Sequence, residues 1–227
     1  MFKFRLFFFK TALVIFIICV NFLSIKSYAQ KKVTKSFTTE SNKIFINTEG
    51  LDNVVLENAE TNFLEVILYA ENPTQQHIVI NQKSYETSIN FKLPVVLEKE
   101  IIFRKFITER LQRAKAIIRI PENKQVIVYG DNIDVTSKSC KNHLEIYLEN
   151  GIVKLNHVQA NVLLKLYSGN VYASLKNTNV AITSKKGTIE IDKILYTQTF
   201  KKQVKDSQTQ FAIYSIKANA FINLTKQ

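Results

Sequence analysis

The chain of 227 residues contains no tryptophan, three prolines and five glycines, and these shortages narrow its class. So little glycine and proline excludes a collagen-like or low-complexity chain. A hydrophobic content of 46% excludes a disordered one, because disordered chains lack the apolar residues that build a core. Phenylalanine, tyrosine, isoleucine, valine and threonine are plentiful, and these residues favour strands. The composition therefore predicts a folded, β-rich protein.

Cysteine and histidine are too few for a disulfide framework or a zinc centre. Without the N-terminal leader described below, the chain keeps one cysteine, Cys140, so folding depends on packing and hydrogen bonds. The histidines His77, His143 and His157 lack the spacing of metal ligands. Two nearby carboxylates, Asp131 and Asp134, fall short of the oxygen ligands that calcium takes, and turn capping explains them better. We predict no metal and no cofactor.

Sequence motifs of common enzyme classes are absent as well. There is no G-x-S-x-G nucleophile elbow, no glycine-rich phosphate loop and no H-E-x-x-H motif. Acidic residues that would share an outward face of the predicted strands do not form the carboxylate pair that glycoside cleavage needs. We therefore predict no catalytic residue and a protein that is not an enzyme.

Residues 1–29 have the features of a secretory signal peptide. Lys3, Arg5 and Lys10 form a positive start, residues 11–23 are apolar, and the SYA of residues 27–29 is a small-x-small cleavage signal. An uncleaved anchor is the alternative, although the apolar run is short for a membrane span. The prediction is an exported protein of the periplasm or cell surface.

The net charge of +12 belongs partly to this leader. Cleavage removes four bases and leaves 27 bases against 19 acids, a net charge of +8. That charge favours weak attraction to polyanions such as anionic polysaccharide or lipid headgroups, and solubility alone is the alternative. The expected partner is an envelope protein or a polysaccharide. Nucleic acid is not expected, and membrane contact after cleavage is expected to be peripheral or absent.

An 18-residue repeat runs through the second half of the chain. Gly151, Gly169 and Gly187 are evenly spaced, as are four columns of mostly apolar residues. The columns are Val126, Leu144, Val162 and Val180; Val128, Ile146, Leu164 and Ile182; Val135, Val153, Val171 and Ile189; and Ser137, Leu155, Ala173 and Ile191. Self-similarity at a fixed period is typical of folds that stack equivalent units.

Within each period, apolar residues alternate with polar ones, which indicates two short strands with one buried face. Glycine and asparagine between the strands tolerate the backbone of tight corners. The pattern predicts an all-β fold, a parallel β-solenoid with rungs of about 18 residues whose columns stack in the core. An antiparallel meander is the rival, but it has no reason to repeat every second strand so strictly.

The remaining chain divides around this repeat. Residues 30–116 form a β-rich N-terminal region, either decayed rungs or a separate sheet, and residues 117–192 form the solenoid repeats. Residues 193–227 depart from the period and are expected to cap the open end, since exposed strand edges must be covered. Between Pro94 and Pro121, apolar residues at helical spacing predict a short helix or irregular connector, and a strand follows it.

All four arginines that follow the leader lie within 16 positions. Because the forked guanidinium binds carboxylates, sulfates and phosphates, the cluster is a candidate polyanion-binding site. A solvated face, or pairing with Glu98, Glu100 and Glu109, is the alternative, and charge runs on helices usually form such surface pairs. The candidate residues are Arg104, Lys105, Arg110, Arg113, Lys115 and Arg119.

Two stretches resemble a known family. They are IIRIPENKQVIVYGDNIDV, at residues 117–135, and the later series of strand starts that read NG-I-V, G-N-V and G-T-I. Together they resemble exported bacterial proteins of the putative-adhesin family, and the leader ending SYAQ resembles those of Bacteroidetes-type bacteria. The resemblance covers about residues 115–192, and residues 43–80 more loosely. It implies a two-sided β-solenoid domain with no established catalytic residues.

These observations leave two main hypotheses for function. The first is a non-enzymatic envelope or surface scaffold, or an adhesin-like module, that binds through an outward sheet. The second is a carbohydrate-active β-helix enzyme that acts on an anionic polysaccharide with the arginine cluster beside a pair of acids. A structural envelope component without a ligand is a third possibility that the sequence does not rank against the first.

Overall fold

The computed structural model describes residues 31–70, 72–92, 114–138 and 141–225. Within these ranges the protein is all-β, as predicted, and a 3₁₀ turn at Gln75–His77 is the one helical element. No helix of the described ranges is long and apolar enough to cross a membrane. The predicted leader, Cys140 and the predicted helix that precedes residue 114 lie outside the described residues.

The strands form two sheets. Sheet A has the spatial order β1 (Lys31–Thr38), β4 (Phe63–Ala70), β7 (Lys115–Ile120), β3 (Asn53–Asn58), β9 (Asp134–Lys138), β11 (Ile152–Val158), β13 (Asn170–Lys176), β19 (Asn219–Thr225), β15 (Ile189–Ile191) and β16 (Ile194–Tyr196). Sheet B has the order β5 (Ile78–Gln82), β6 (Glu86–Phe91), β2 (Lys43–Asn47), β8 (Gln125–Asn132), β10 (His143–Asn150), β12 (Val162–Leu166), β18 (Gln210–Ser215), β14 (Asn179–Ser184) and β17 (Thr199–Lys202).

The centre of both sheets is parallel and in the predicted register. We call a strand of sheet B together with the sheet A strand that follows it a rung. Between rungs β8–β9, β10–β11 and β12–β13, residues 18 apart lie side by side, as in Leu144 with Val162 and Val153 with Val171. The N-terminal rung β2–β3 pairs in parallel with β8–β9, so the N-terminal strands belong to the same two sheets.

Chain order and spatial order differ at both ends of the stack. The last rung along the chain, β18–β19, lies between β12–β13 and β14–β15. Near the N-terminus, β2–β3 lies between β6–β7 and β8–β9 in the same way. Val162 and Val180 are therefore not neighbours, because Phe211 separates them, and Ala220 separates Val171 from Ile189. The predicted columns hold up to Val162 and Val171 and are wrong at their last step.

The outermost strands are antiparallel, so both sheets are mixed rather than wholly parallel. β4 and β1 continue sheet A beyond β7, and β5 pairs with β6 in sheet B. At the other end, β16 pairs with β15 and β17 with β14. β16 and β17 thus lie beyond the rung β14–β15, at the edge of each sheet. β18 and β19, expected to be capping strands, enter the stack instead.

Inward residues of both sheets form one hydrophobic core. All four predicted columns face it, with side chains that are buried, including Ser137 in the last column. The alternation of apolar and polar residues in the sequence therefore predicted correctly which side chains of these strands face the core.

The even spacing of glycine has a steric cause. Gly151 and Gly169 have φ angles of 150° and 117°, which residues with a side chain rarely adopt. A Cβ on Gly169 would overlap the carbonyl oxygen of Gly151, which accepts a hydrogen bond from the Asn170 amide at 3.0 Å. Successive rungs approach each other at this corner so closely that only glycine fits.

Candidate functional site

The outer face of sheet B carries three rows of side chains that run across the strands. Parallel pairing places equivalent residues of neighbouring strands side by side, so each outward position becomes a row. The amide row contains Gln125, His143, Asn161 and Gln210, the central row Ile127, Glu145, Leu163 and Ala212, and the aromatic row Tyr129, Tyr147, Lys165 and Tyr214.

A groove follows the central row between the amide and aromatic rows. It has a volume of about 650 Å³, and its lining includes Glu145, Leu163, Lys165, Ala212 and Tyr214. Ala212, with only a methyl group, follows the larger Glu145 and Leu163 in the central row. Three of the lining residues, Gln210, Ala212 and Tyr214, come from β18, the strand inserted from the end of the chain. We call this depression the tyrosine groove.

Hydrogen bonds hold Glu145 in a fixed position. Its two carboxylate oxygens accept one bond from Gln125 Nε2 and one from the Tyr147 hydroxyl, each 2.7 Å long. The bond to Glu145, followed by burial, raises the pKa of Tyr147 to about 12. Tyr147 therefore stays protonated near neutral pH and keeps donating to the carboxylate.

The aromatic row is an ordered stack. The rings of Tyr129 and Tyr147 are nearly parallel, with centroids 5.1 Å apart, and Phe45 stacks beyond Tyr129 at 6.4 Å. Lys165 lies at the other end, with Nζ 5.4 Å from the Tyr147 centroid. Lys43 similarly lies 5.3 Å from the Phe45 centroid. Such cation–π contacts restrict side chains that would otherwise be mobile on an open surface.

Two residues of the predicted arginine cluster are described, and they lie in sheet A rather than at the groove. Arg119, on β7, donates to Glu57 at 3.2 Å and to Glu65 at 2.7 Å, and Lys138 also binds Glu57 at 2.9 Å. Lys138 and Arg119 lower the pKa of Glu57, and Lys138 has the larger effect. Lys115 is half-buried at the start of the same strand.

The remaining members of the cluster, Arg104, Lys105, Arg110 and Arg113, lie outside the described residues. The two carboxylates that engage Arg119, those of Glu57 and Glu65, are not among the candidate partners Glu98, Glu100 and Glu109. A polyanion would have to displace these carboxylates to reach its guanidinium. The polyanion-binding role of the cluster stays a prediction.

The other candidate ligands have structural contacts. The Asp134 carboxylate accepts a bond from the Ile152 amide of the next rung at 3.0 Å. His77 Nδ1 accepts one from the Thr74 amide. Within the described ranges, no three histidine, cysteine, aspartate or glutamate side chains gather as metal ligands would. Of the three histidines, His143 lines the tyrosine groove.

Comparison with known proteins supports the fold. No family model matches the chain, and no curated protein matches it. Among solved structures, a putative cell adhesion protein from Clostridium sporogenes is similar, with a TM-score of 0.60 and 14% identity over 87% of this chain and 100% of that one. A putative adhesin from Bacteroides fragilis aligns over 87% of this chain and 99% of its own, with 12% identity and a TM-score of 0.31. The resemblance to putative adhesins is confirmed at the level of the fold.

Proposed function

We propose that the protein is an exported, non-enzymatic binding module of the periplasm or cell surface, built on a two-sided β-solenoid with rungs of about 18 residues. Its binding surface is the tyrosine groove, and its partner is a polymer of the cell envelope. The parallel register of the three central rungs supports the solenoid. The clostridial neighbour is named a putative cell adhesion protein, and this name agrees with a binding role.

The observation that carries the binding role is the ordered tyrosine groove on a rigid sheet. Tyrosine supplies contact area at low entropic cost, while amides and histidine supply adaptable hydrogen bonds. Here these residue types are brought into rows by the strand register, and the Gln125–Glu145–Tyr147 network fixes one wall in advance. Such preorganisation lowers the cost of binding.

The lining favours binding over glycoside cleavage. Cleavage in most glycosidases uses two carboxylates that flank the scissile bond. Among the described residues that line the groove, Glu145 is the one acidic side chain, and both of its oxygens already accept hydrogen bonds. A binding role needs no further acid.

Replacing Tyr214 by alanine tests the assignment of the surface. We expect binding to immobilised neutral and acidic polysaccharides and to isolated envelope fractions to weaken about tenfold, since exposed aromatic anchors carry much of such binding energy. The matched control is Tyr172→Ala on sheet A, because the two tyrosines are 50% and 41% exposed. Equal losses for both variants, or no loss for Tyr214→Ala, would contradict the proposal.

The same samples test the absence of enzymatic activity. A binding module should leave the length distribution of each bound polysaccharide unchanged after prolonged incubation, as measured by size-exclusion chromatography. The appearance of shortened chains would favour the carbohydrate-active alternative.

A further inference from the structure

The tyrosine groove crosses the strands instead of following them. Each step along it passes from one strand to the next, a distance of about 4.8 Å. At each step it offers one amide-row, one central-row and one aromatic-row side chain. A ligand that fits such a groove is an extended polymer with a short, regular repeat. A linear chain of pyranose sugars meets this condition, because it advances by about one strand spacing per sugar.

The three rows match the chemistry of a sugar ring. A pyranose has an apolar face of C–H groups and a rim of hydroxyls, so one part packs on apolar or aromatic groups while the other needs hydrogen-bond partners. Leu163 and Ala212 offer the apolar floor, and Gln210 and Asn161 offer amides beside it. A lipid chain would need a deeper apolar cavity than this open groove.

One lysine interrupts the aromatic row. Tyr147 and Tyr214 lie on β10 and β18, and the strand between them, β12, presents Lys165 at the same position. The two tyrosines are therefore about 9.6 Å apart, two strand spacings, while Tyr129 and Tyr147 stack at a single spacing. Lys165 therefore stands between two tyrosines, and its Nζ lies 5.4 Å from the Tyr147 centroid.

The groove lining carries one lysine and one acidic residue. Lys165 is the one lysine in the groove lining, and within the described part of the chain it forms no ion pair, its contact being the Tyr147 ring. Glu145 is nearby, but its oxygens are engaged by Gln125 and Tyr147. Lys43 at the far end of the aromatic stack and the exposed Lys201 on β17 add positive charge to the same face.

From this geometry we infer that the tyrosine groove binds a linear acidic polysaccharide whose sugars carry carboxylates. One uronate ring lies on Leu163 and Ala212 beside Tyr214, its carboxylate pairs with Lys165 Nζ, and its hydroxyls contact the amide row. The inference rests on the proposed function, since it names the ligand of the same groove. Lys165, rather than the arginine cluster, then supplies the positive charge that binds the carboxylate of the ligand.

Calorimetry with polygalacturonate oligomers and their carboxyl-reduced forms tests this inference on the purified protein. Reduction replaces each carboxylate by a neutral hydroxymethyl group and keeps the sugar chain. We expect the acidic oligomer to bind about tenfold more tightly, because a charge-assisted hydrogen bond is stronger than a neutral one. Lys165→Gln should abolish this preference and keep the weaker binding of the reduced oligomer. The control Lys154→Gln changes an exposed lysine of sheet A and should alter neither.

The outcomes separate the two proposals. Equal affinity for the acidic and reduced oligomers, lowered in both cases by Tyr214→Ala, would overturn the acidic ligand and keep the groove as a glycan site. An acidic preference that survives Lys165→Gln would also overturn the inference. Polysaccharide binding that does not respond to Tyr214→Ala would overturn the proposed function together with the inference.

Discussion

A chain that ends at Ser207 is expected to lose its cooperative unfolding transition, because β18 and β19 form an inner rung. Their removal would leave a gap between β12–β13 and β14–β15. Phe211, Ile213 and Ile222 are each about 1% exposed, and burial of each contributes about 1.5–3 kcal/mol. The sum approaches the 5–15 kcal/mol or so that stabilises a typical domain.

The control for this truncation ends at Thr225 and removes the last two residues. Its thermal unfolding, followed by circular dichroism, should match that of the full chain. If the chain ending at Ser207 kept a cooperative transition, with a midpoint lowered by only a few degrees, the C-terminal strands would be a peripheral cap and the insertion would be wrong.

Leu164→Asp should lower the free energy of unfolding by about 4–5 kcal/mol or more, because it buries an unpaired charge in the centre of the core. Leu164 is fully buried on β12, between Ile146 and Ile213. Urea unfolding measures the change. A loss of this size is comparable with the whole stability of many domains, so the variant is expected to be largely unfolded.

Lys165→Asp is the matched control, since Lys165 is the next residue and points to solvent. It makes the same change to aspartate and forfeits one exposed cation–π contact, so the expected loss is below about 1 kcal/mol. Similar losses at both positions would show that the facing of β12 is wrong.

The central rungs could be predicted from the sequence because their physical causes are local and repetitive. Alternation placed Leu144, Val153 and Leu164 inward, and the fixed period paired them with the correct neighbours. Glycine at the corners indicated tight turns, and in the structure successive rungs approach each other closely there. The alternation is present in all four periods, and the corner glycine is present in three of them.

The insertion of β18 and β19 could not be predicted in this way. FAIYS and NAFINL alternate as any rung does, so their pattern fits several positions in the stack equally well. The chain passes through β16 and β17 and then returns to β12, where β18 pairs. A repeat period counted along the chain cannot reveal that a later strand inserts between two earlier ones.

The tyrosine groove could not be predicted as a whole either, because part of it lies on the inserted strand β18. Tyr129 and Tyr147 are 18 residues apart, and an outward tyrosine column could have been noticed from the sequence. Ala212 and Tyr214 join them only through the inserted strand. The sequence instead suggested the arginine cluster as a binding site. In the structure, Arg119 of this cluster is held by Glu57 and Glu65 on sheet A.

Disulfide cross-linking tests the insertion, and with it the groove, most directly. Cysteines would be placed on the outward side of sheet B in a full chain whose Cys19 and Cys140 are changed to serine. The pair Leu163→Cys and Ala212→Cys joins adjacent strands, about 4.8 Å apart, whereas Leu163→Cys and Ala181→Cys are about 9.6 Å apart with β18 between them. A disulfide forms only when the Cα atoms lie within about 7 Å. After mild oxidation and mass spectrometry, we predict a cross-link for the first pair and none for the second, and the opposite result would contradict the insertion and the site built on it.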